Sequence, residues 1–158
     1  MQNLGFSLIE LLIVVCISAI LASVGINHWQ AQKLRNELEI TTKQLASFLS
    51  EVQVKAYTNN DNYYLHLFVS PWCLSITQGE KPQSCHQGLL QFIKPDNSVV
   101  ISGLNDNQSA TFWGRRNMAK NISFELSNRI GTSKIFVSSQ GRIRFCRKSS
   151  YLTGLPPC

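Results

Sequence analysis

The first residue that could take part in chemistry is a carboxylate, Glu10, at the start of an apolar run. No side chain from Leu11 to Ile26 is charged. These 16 residues, or 19 when the run is counted from Leu8 and includes Glu10, approach the ~17 to 25 with which a helix crosses a bilayer. A carboxylate there costs roughly 2.5 to 3.5 kcal/mol at the membrane centre, so it normally persists where a partner or a function holds it. The run predicts a membrane anchor, and Glu10 is a candidate functional residue.

Three other interpretations of this segment compete. A secretory signal peptide needs a positive start, but Met1–Gly5 has no Lys or Arg, and Ala22–Gly25 fits an A-x-A cleavage site poorly. A lipoprotein signal is disfavoured because a valine, not a small residue, precedes Cys16. Ser7 and Glu10 also match a helix capping box, a local role that is compatible with a functional one.

The second informative group is basic and lies in the last third of the chain. Residues 107–158 hold nine Lys or Arg against one carboxylate, Glu125, whereas residues 1–106 hold six against eight. This asymmetry predicts a polyanionic partner. The densest part is Gly141–Lys148, whose arginine guanidinium groups have the fork geometry that binds phosphate.

Gly141–Lys148 alternates as a β-strand does. Successive side chains of a strand point to opposite faces. One face, the basic face, therefore holds Arg142, Arg144, Cys146 and Lys148. It is predicted to meet solvent, while Ile143 and Phe145 enter the core. A few arginine–phosphate contacts give weak, salt-sensitive, sequence-independent DNA binding; the alternative is a solvated face that pairs with carboxylates of neighbouring subunits. The candidate DNA-binding residues are Arg142, Arg144, Arg147, Lys148, Arg115 and Arg116. Arg115 and Arg116, together with Lys120, either extend the basic patch or simply lie on an exposed loop.

The third group is the cysteines. Cys16 lies in the apolar run and is predicted to be a small apolar filler, which leaves four in the globular part. An even number in a small exported domain argues for disulfides. Of the three possible connectivities we favour Cys73 with Cys85 and Cys146 with Cys158, which close loops of similar length, each worth about 3 kcal/mol on the chain-entropy model.

Metal binding and catalysis find little support in the sequence. No C-x-x-C occurs, and only His86 lies beside a cysteine. The three histidines are scattered, and no G-x-S-x-G, H-E-x-x-H or phosphate-binding glycine loop is present. We therefore expect no metal, no cofactor and no enzymatic activity; the predicted mechanism is assembly or binding.

A long helix must position the apolar run. No Pro or Gly occurs between Ile26 and Thr58, so the helix is predicted to continue to about Tyr57. Its second half carries a narrow apolar stripe at spacings of three, four or seven, which predicts a helix packed on a sheet, with a partner-binding coiled coil as the alternative. The stripe consists of Leu34, Leu38, Leu45, Phe48 and Val52.

The sequence becomes β-rich after Asn59–Asn62. Short β-branched or aromatic segments follow, separated by Gly, Asn, Asp or Ser. They predict one small antiparallel domain wrapped against the helix stripe. The predicted strands are Tyr63–Val69, Trp72–Thr77, Leu89–Ile93, Val99–Ile101, Ile122–Leu126, Lys134–Ser138 and Arg142–Phe145.

The octapeptide Gly5-Phe6-Ser7-Leu8-Ile9-Glu10-Leu11-Leu12 resembles the class III signal of type IV pilins and type II secretion pseudopilins. In that family a prepilin peptidase cuts after the glycine and methylates the new N-terminus. The resemblance implies cleavage between Gly5 and Phe6, N-methylation of Phe6, and pairing of Glu10 with a neighbouring subunit's terminal amine during assembly. The partners it implies are the prepilin peptidase, the inner membrane, and other minor and major pilins.

The full layout and the late stretch Ser139-Gln140-Gly141-Arg142-Ile143-Arg144 are similar to the FimT/GspH group of minor pilins and pseudopilins. The FimT branch carries a G-R-x-R element linked to DNA capture in natural transformation, which implies that role for Arg142 and Arg144, with double-stranded DNA as the partner. The implied function is a minor pilin at the tip of a type IV pilus that helps to initiate pilus assembly. The alternative is a type II secretion pseudopilin of the GspH type.

The predicted fold class is α+β and pilin-like, with a long N-terminal helix, its first half transmembrane, packed on a small antiparallel β domain. The predicted segments are a leader peptide at 1–5, a transmembrane helix at 6–28, an amphipathic helix at 29–57 and a periplasmic β-rich domain at 58–158. The predicted location is the inner membrane, with a single span and a periplasmic C-terminal domain, and then the pilus tip at the cell surface.

Overall fold

The computed structural model describes residues 7–103 and 110–158, apart from the side chains of Val24 and Asn27. The chain divides into two compact units, Met1–Lys33 and Leu34–Cys158. A long helix, α1 (Leu8–Asn59), runs through both units. The long N-terminal helix of the predicted pilin-like fold is therefore present.

α1 starts at the predicted first turn and ends slightly later than predicted. The Ser7 carbonyl accepts a hydrogen bond from the backbone N of Glu10 at 3.0 Å. At the other end, Asn60 adopts a left-handed φ of 53°, a common way of ending a helix. The predicted end at about Tyr57 is two residues early, because the helix continues to Asn59 and the left-handed Asn60, inside the polar run Asn59–Asn62, ends it.

The part of α1 in the second unit buries one face in the β domain. Three members of the predicted stripe are fully buried, and Phe48 packs partly buried against the core. Complete burial of such a side chain contributes about 1.5 to 3 kcal/mol. The stripe is therefore occupied by the protein's own β domain rather than by a partner helix. The buried face comprises Leu38, Thr41, Thr42, Leu45, Ala46, Leu49, Val52 and Ala56.

Nine strands follow α1 within the described residues. Seven lie where the sequence predicted them, to within one or two residues at each end. The other two, β5 and β6, form a short hairpin that the sequence did not reveal. The strands are β1 (Tyr63–Val69), β2 (Trp72–Thr77), β3 (Leu90–Ile93), β4 (Val100–Ser102), β5 (Ala110–Trp113), β6 (Met118–Ala119), β7 (Ile122–Ser127), β8 (Thr132–Val137) and β9 (Ile143–Arg147).

The strands form two sheets. The first has the order β3-β2-β1-β5-β6, and the second has the order β4-β7-β8-β9. All the pairings between these strands are antiparallel, as predicted. The inner faces of both sheets and α1 share one apolar core.

Two hydrogen bonds between distant residues join parts of this core. The Thr42 hydroxyl of α1 and the Ser133 hydroxyl of β8 lie 2.7 Å apart, and both side chains are buried. The indole N–H of Trp72 donates to the carbonyl of Val99 at 2.7 Å. Because each polar group is satisfied inside the core, its burial carries little desolvation penalty.

The structure contains the two disulfides that the sequence favoured. Cys73 of β2 is bonded to Cys85, and Cys146 of β9 is bonded to Cys158. Each joins residues 12 apart in sequence. The first fixes the loop after β2 to the sheet, and the second fixes the last residues of the chain to β9.

Candidate functional site

The apolar part of α1 exposes its side chains in the single chain. Leu8 and Leu11 are among them, and Glu10 in the first turn is exposed with them. By length and composition, the helix can cross a membrane. Gly5 and Phe6, the predicted cleavage and methylation sites, lie outside the described residues.

The outer face of β9 carries Arg144, one of the predicted basic side chains. Arg144 lies directly opposite Phe136 of β8, and Cys146 lies opposite Lys134. Opposed residues of antiparallel strands share a face, so these four side chains line one surface. Arg144 is exposed, as the sequence predicted.

The inner face of β9 holds the apolar residues that the sequence assigned to it. Ile143 and Phe145 are partly buried and pack against the core. Because these two residues anchor the strand, the orientation of the basic face is set by the burial of its apolar neighbours.

A shallow groove of about 1020 Å³ runs across this outer face. Its cationic groups come from β8, from β9 and from the residue that follows β9. Phe136 of β8, with Pro156 and Pro157, contributes to its apolar surface. The groove is lined by Asn121, Ser123, Lys134, Phe136, Ile143, Arg144, Phe145, Cys146, Lys148, Pro156, Pro157 and Cys158.

Arg142 borders a smaller cleft of about 190 Å³ that shares Phe136 and Arg144 with the groove. A tight turn between β8 and β9 places it there. The Arg142 backbone N donates to the Ser138 hydroxyl at 3.2 Å, and its carbonyl accepts from the Ser138 N at 3.0 Å. Gly141 makes the turn with a left-handed φ of 72°, a conformation that glycine adopts without steric cost.

The end of the chain forms one wall of the groove. Pro157 makes a parallel bridge with Arg147, the Arg147 N donates to the Pro156 carbonyl at 2.7 Å, and the Cys158 N donates to the Arg147 carbonyl at 3.2 Å. The Cys146–Cys158 disulfide adds a covalent tie. The wall is therefore fixed to the strand that carries the basic face.

Arg147 does not lie with the other predicted DNA-binding residues. Strand alternation places it on the face opposite Arg144, and its guanidinium donates to the carbonyls of Ser150 at 3.0 Å and Leu152 at 3.3 Å. Its contacts hold the loop after β9 in place.

One carboxylate lies among the basic side chains. Glu125 of β7 stands opposite Lys134 and forms an ion pair with Lys148. The hydrogen bond from Lys148 is the main cause that lowers the pKa of Glu125, and the positive charges of Lys148 and Lys134 act in the same direction. Glu125 therefore remains ionised and offsets part of the positive charge on this face.

The predicted residues Arg115 and Arg116 lie in the β5–β6 turn, on the first sheet. Both are exposed. This turn packs against the β8–β9 turn, because a Cβ added at Gly141 would lie 2.4 Å from the Asn117 carbonyl. Gln53 of α1 also donates to the Asn117 side chain at 2.9 Å. The structure therefore places the two basic turns side by side.

A pocket of about 400 Å³ beside Arg115 and Arg116 contains a residue that the sequence analysis missed. This residue is Trp113, whose side chain is 39% exposed. Asn62 and Met118 complete the pocket lining. No pattern in the sequence distinguishes an exposed Trp in a four-residue strand from a buried one.

His66 of β1 is buried. Its ring lies 2.9 Å from the Thr77 hydroxyl. Burial, assisted by the charge of Lys81, lowers the pKa of His66. The neutral imidazole is the form that fits this site. Within the described ranges, no group of three or more His, Cys, Asp or Glu residues is arranged to hold a metal ion.

Comparison with known proteins gives matches at the level of structure. No family model matches the sequence, and no curated protein matches it. The type IV minor pilin FimU of Pseudomonas aeruginosa is similar in structure, with a TM-score of 0.56 and 17% identity over 70% of this chain and 88% of that one. A second crystal form of FimU gives a TM-score of 0.54 with 15% identity, covering 68% of this chain and 91% of that one.

The minor pseudopilin EpsH from the Type 2 Secretion System of Vibrio cholerae is equally similar in structure. Its TM-score is 0.55 with 7% identity, over 72% of this chain and 99% of that one. Both proteins match nearly their full length, although few residues are identical. The long helix packed on antiparallel sheets is therefore the pilin-like fold, shared with a minor pilin and with a minor pseudopilin.

Proposed function

We propose that this protein is a minor pilin that joins the tip of a type IV pilus and helps to initiate its assembly. The observation that carries the proposal is the combination of a pilin-like domain with an exposed apolar helix segment whose one charged residue is Glu10. In a filament packed through such segments, a buried carboxylate is tolerable when an amine pairs with it. The role is structural, and we propose no enzymatic activity.

The amine is proposed to come from processing. A prepilin peptidase removes residues 1–5, and Phe6 becomes the N-methylated terminus. The new amine then pairs with Glu10 of a neighbouring subunit. Until assembly, the apolar segment anchors the protein in the inner membrane and the β-rich domain lies in the periplasm.

Mass spectrometry of the protein from cells with and without the peptidase tests this processing. We expect a mature chain that begins at methylated Phe6 when the peptidase is present, and an uncut chain when it is absent. A Gly5→Ala variant should remain uncut in both strains. A mature chain that retains Met1, or that begins far beyond Phe6, contradicts the proposal.

The second setting for the same assembly role is a type II secretion pseudopilus. The structural likeness to EpsH is as strong as that to FimU. Deletion of the gene separates the two settings. We expect loss of surface pili with secretion intact; loss of enzyme export with pili intact assigns the protein to the pseudopilus.

A second candidate function is the capture of double-stranded DNA. It is favoured by the basic groove, which combines Lys134, Arg144 and Lys148 with Arg142 at its edge. Guanidinium and ammonium groups on one exposed face can contact successive phosphates without reading sequence. In this proposal, a pilus tip that displays the groove brings DNA to the cell during natural transformation.

Replacing Glu125 with Gln is expected to strengthen DNA binding about two- to fivefold at low salt, the range of an exposed ion pair. The change removes the carboxylate that pairs with Lys148 and leaves that ammonium available to phosphate. Fluorescence anisotropy with labelled duplex DNA and full-length protein in detergent measures the affinity.

Glu51→Gln is the matched control, since Glu51 is also in an exposed ion pair, with Lys55 of α1 at 2.8 Å. It should leave the affinity unchanged. An unchanged affinity of the Glu125→Gln variant, or equal gains for the two variants, would show that the groove is not the DNA-binding surface.

A further inference from the structure

The Trp113 pocket differs from the rest of the surface in its chemistry. Trp72, the other tryptophan of the second unit, is 5% exposed and hydrogen-bonded in the core, whereas Trp113 is 39% exposed. The burial of β5 alternates, with Ala110 and Phe112 inward and Trp113 outward. The indole is therefore held on the outer surface by the burial of its neighbours.

The groups around the indole suit a planar anionic ligand. Arg115 and Arg116 bring two positive charges to the pocket, and Asn62 brings an amide. No Asp or Glu is among the described residues that line it. The nearby carboxylate of Asp61 is engaged by the Asn62 backbone N and by the Gln78 side chain, each at 2.8 Å. An aromatic face with adjacent arginines is the arrangement that stacks a nucleic-acid base and holds its phosphates.

The pocket also adjoins the basic groove. Asn117 in the pocket's turn contacts Gly141, and Arg142 follows Gly141 directly. The backbone N of Ala119 donates to the Ser139 carbonyl at 3.2 Å, so β6, which follows the pocket's turn, is hydrogen-bonded to the β8–β9 turn. A chain of phosphates that leaves the groove at Arg142 therefore meets the arginines of the β5–β6 turn next.

The groove and the pocket belong to different sheets, and this decides which form of nucleic acid can use both. Duplex DNA is stiff over about 150 base pairs and keeps its bases stacked inside. A single strand bends freely and presents its bases to an aromatic side chain. Only the single strand can follow the groove and also place a base on Trp113.

We propose that the Trp113 pocket is a stacking subsite for an unpaired base of single-stranded nucleic acid whose phosphates continue along the Arg142–Arg144 groove. Trp113 stacks on the base, while Arg115 and Arg116 bind the flanking phosphates. This inference rests on the proposed binding of nucleic acid in the groove. It adds a preference for single strands, or for single-stranded ends of a duplex, that the groove alone does not give.

Fluorescence of the full-length protein in detergent tests the subsite. A Trp29→Phe background removes the exposed indole at the start of the predicted amphipathic helix and leaves buried Trp72 as a constant signal. Oligothymidine of about 15 nucleotides, near the site size of single-strand-binding folds, is compared with a duplex of equal length. We expect the oligothymidine to quench the Trp113 signal and the duplex to leave it nearly unchanged.

Affinities of variants give the second measurement. Trp113→Ala should weaken oligothymidine binding about tenfold or more, as loss of base stacking does, with duplex binding changed less than twofold. Trp113→Phe should restore most of the loss. Tyr151→Ala is the matched control, because Tyr151 is an aromatic residue exposed to 64% that is absent from the pocket lining, and its loss should change neither affinity.

The outcomes separate this inference from the proposal that it extends. Duplex binding that depends on Arg142 and Arg144, together with oligothymidine binding that is insensitive to Trp113, overturns the subsite and leaves the groove. Equal losses for both ligands in Trp113→Ala also overturn the single-strand preference. If neither the oligothymidine nor the duplex binds, the subsite and the proposed DNA capture are both overturned.

Discussion

Replacing Glu10 with Gln is expected to keep the protein out of the filament without unfolding its β domain. The amide keeps the size of the side chain but cannot neutralise the terminal amine that we propose a neighbouring subunit places against Glu10. Removing one partner of a buried ion pair costs about 3 to 5 kcal/mol, which corresponds to a loss of incorporation of about a hundredfold or more. Immunoblotting of sheared pili, normalised to the membrane pool, measures the incorporation.

Two measurements identify the cause of such a loss. Glu51→Gln makes the same chemical change in the second unit, where Glu51 is exposed and paired with Lys55, and should incorporate normally. The thermal midpoint of Glu10→Gln in detergent should equal that of the parent protein, because Glu10 lies outside the packed core. Normal incorporation of the Glu10→Gln variant would contradict the assembly role proposed for this carboxylate.

The helix and most strands could be predicted because their residue patterns are local. The stripe with spacing three, four and seven became the buried face of α1, and β1 and β2 have the predicted bounds. The β5–β6 hairpin was missed for a physical reason. Its strands are four and two residues long, too short for alternation to be visible, and Gly114–Asn117 between them is polar.

The candidate site was predictable along one strand and not across strands. Alternation in β9 placed Arg144 outward and Ile143 inward, as the structure has them. Lys134 and Phe136 of β8 were not found, because which residues stand opposite β9 depends on the register between strands. Arg147 was grouped with the basic face by composition, although alternation places it on the other side.

The register also explains how the groove is held rigid. Cys146 lies on the basic face and ties Cys158 to it, while Arg147 on the opposite face holds the loop at Ser150 through its guanidinium. The two residues use opposite sides of one strand to fix the same terminal segment. A groove whose wall is fixed in this way loses little conformational entropy when it binds a ligand.

Replacing both Arg142 and Arg144 with Gln is expected to weaken duplex DNA binding about 10- to 100-fold near 0.1 M salt, because two phosphate contacts and their counterion release are lost. The slope of log affinity against log salt should fall in magnitude by about 1.8, at about 0.9 for each contact. Anisotropy titrations of full-length protein in detergent at several salt concentrations give both quantities. Pilus assembly should persist, because both side chains lie on the exposed outer face.

The matched control removes the same charge elsewhere. Arg129 lies in the β7–β8 turn, at the end of β8 opposite the Gly141 turn, and Lys43 is on the exposed side of α1. If affinity depends on net charge alone, the double variant Arg129→Gln, Lys43→Gln will lose as much affinity for duplex DNA as the variant that replaces Arg142 and Arg144. If it depends on the groove, the control will keep its affinity and its salt slope. If the Arg142 and Arg144 variant loses piliation but keeps a normal thermal midpoint, these arginines instead make contacts between subunits. The anions that they bind would then be carboxylates of a neighbouring subunit.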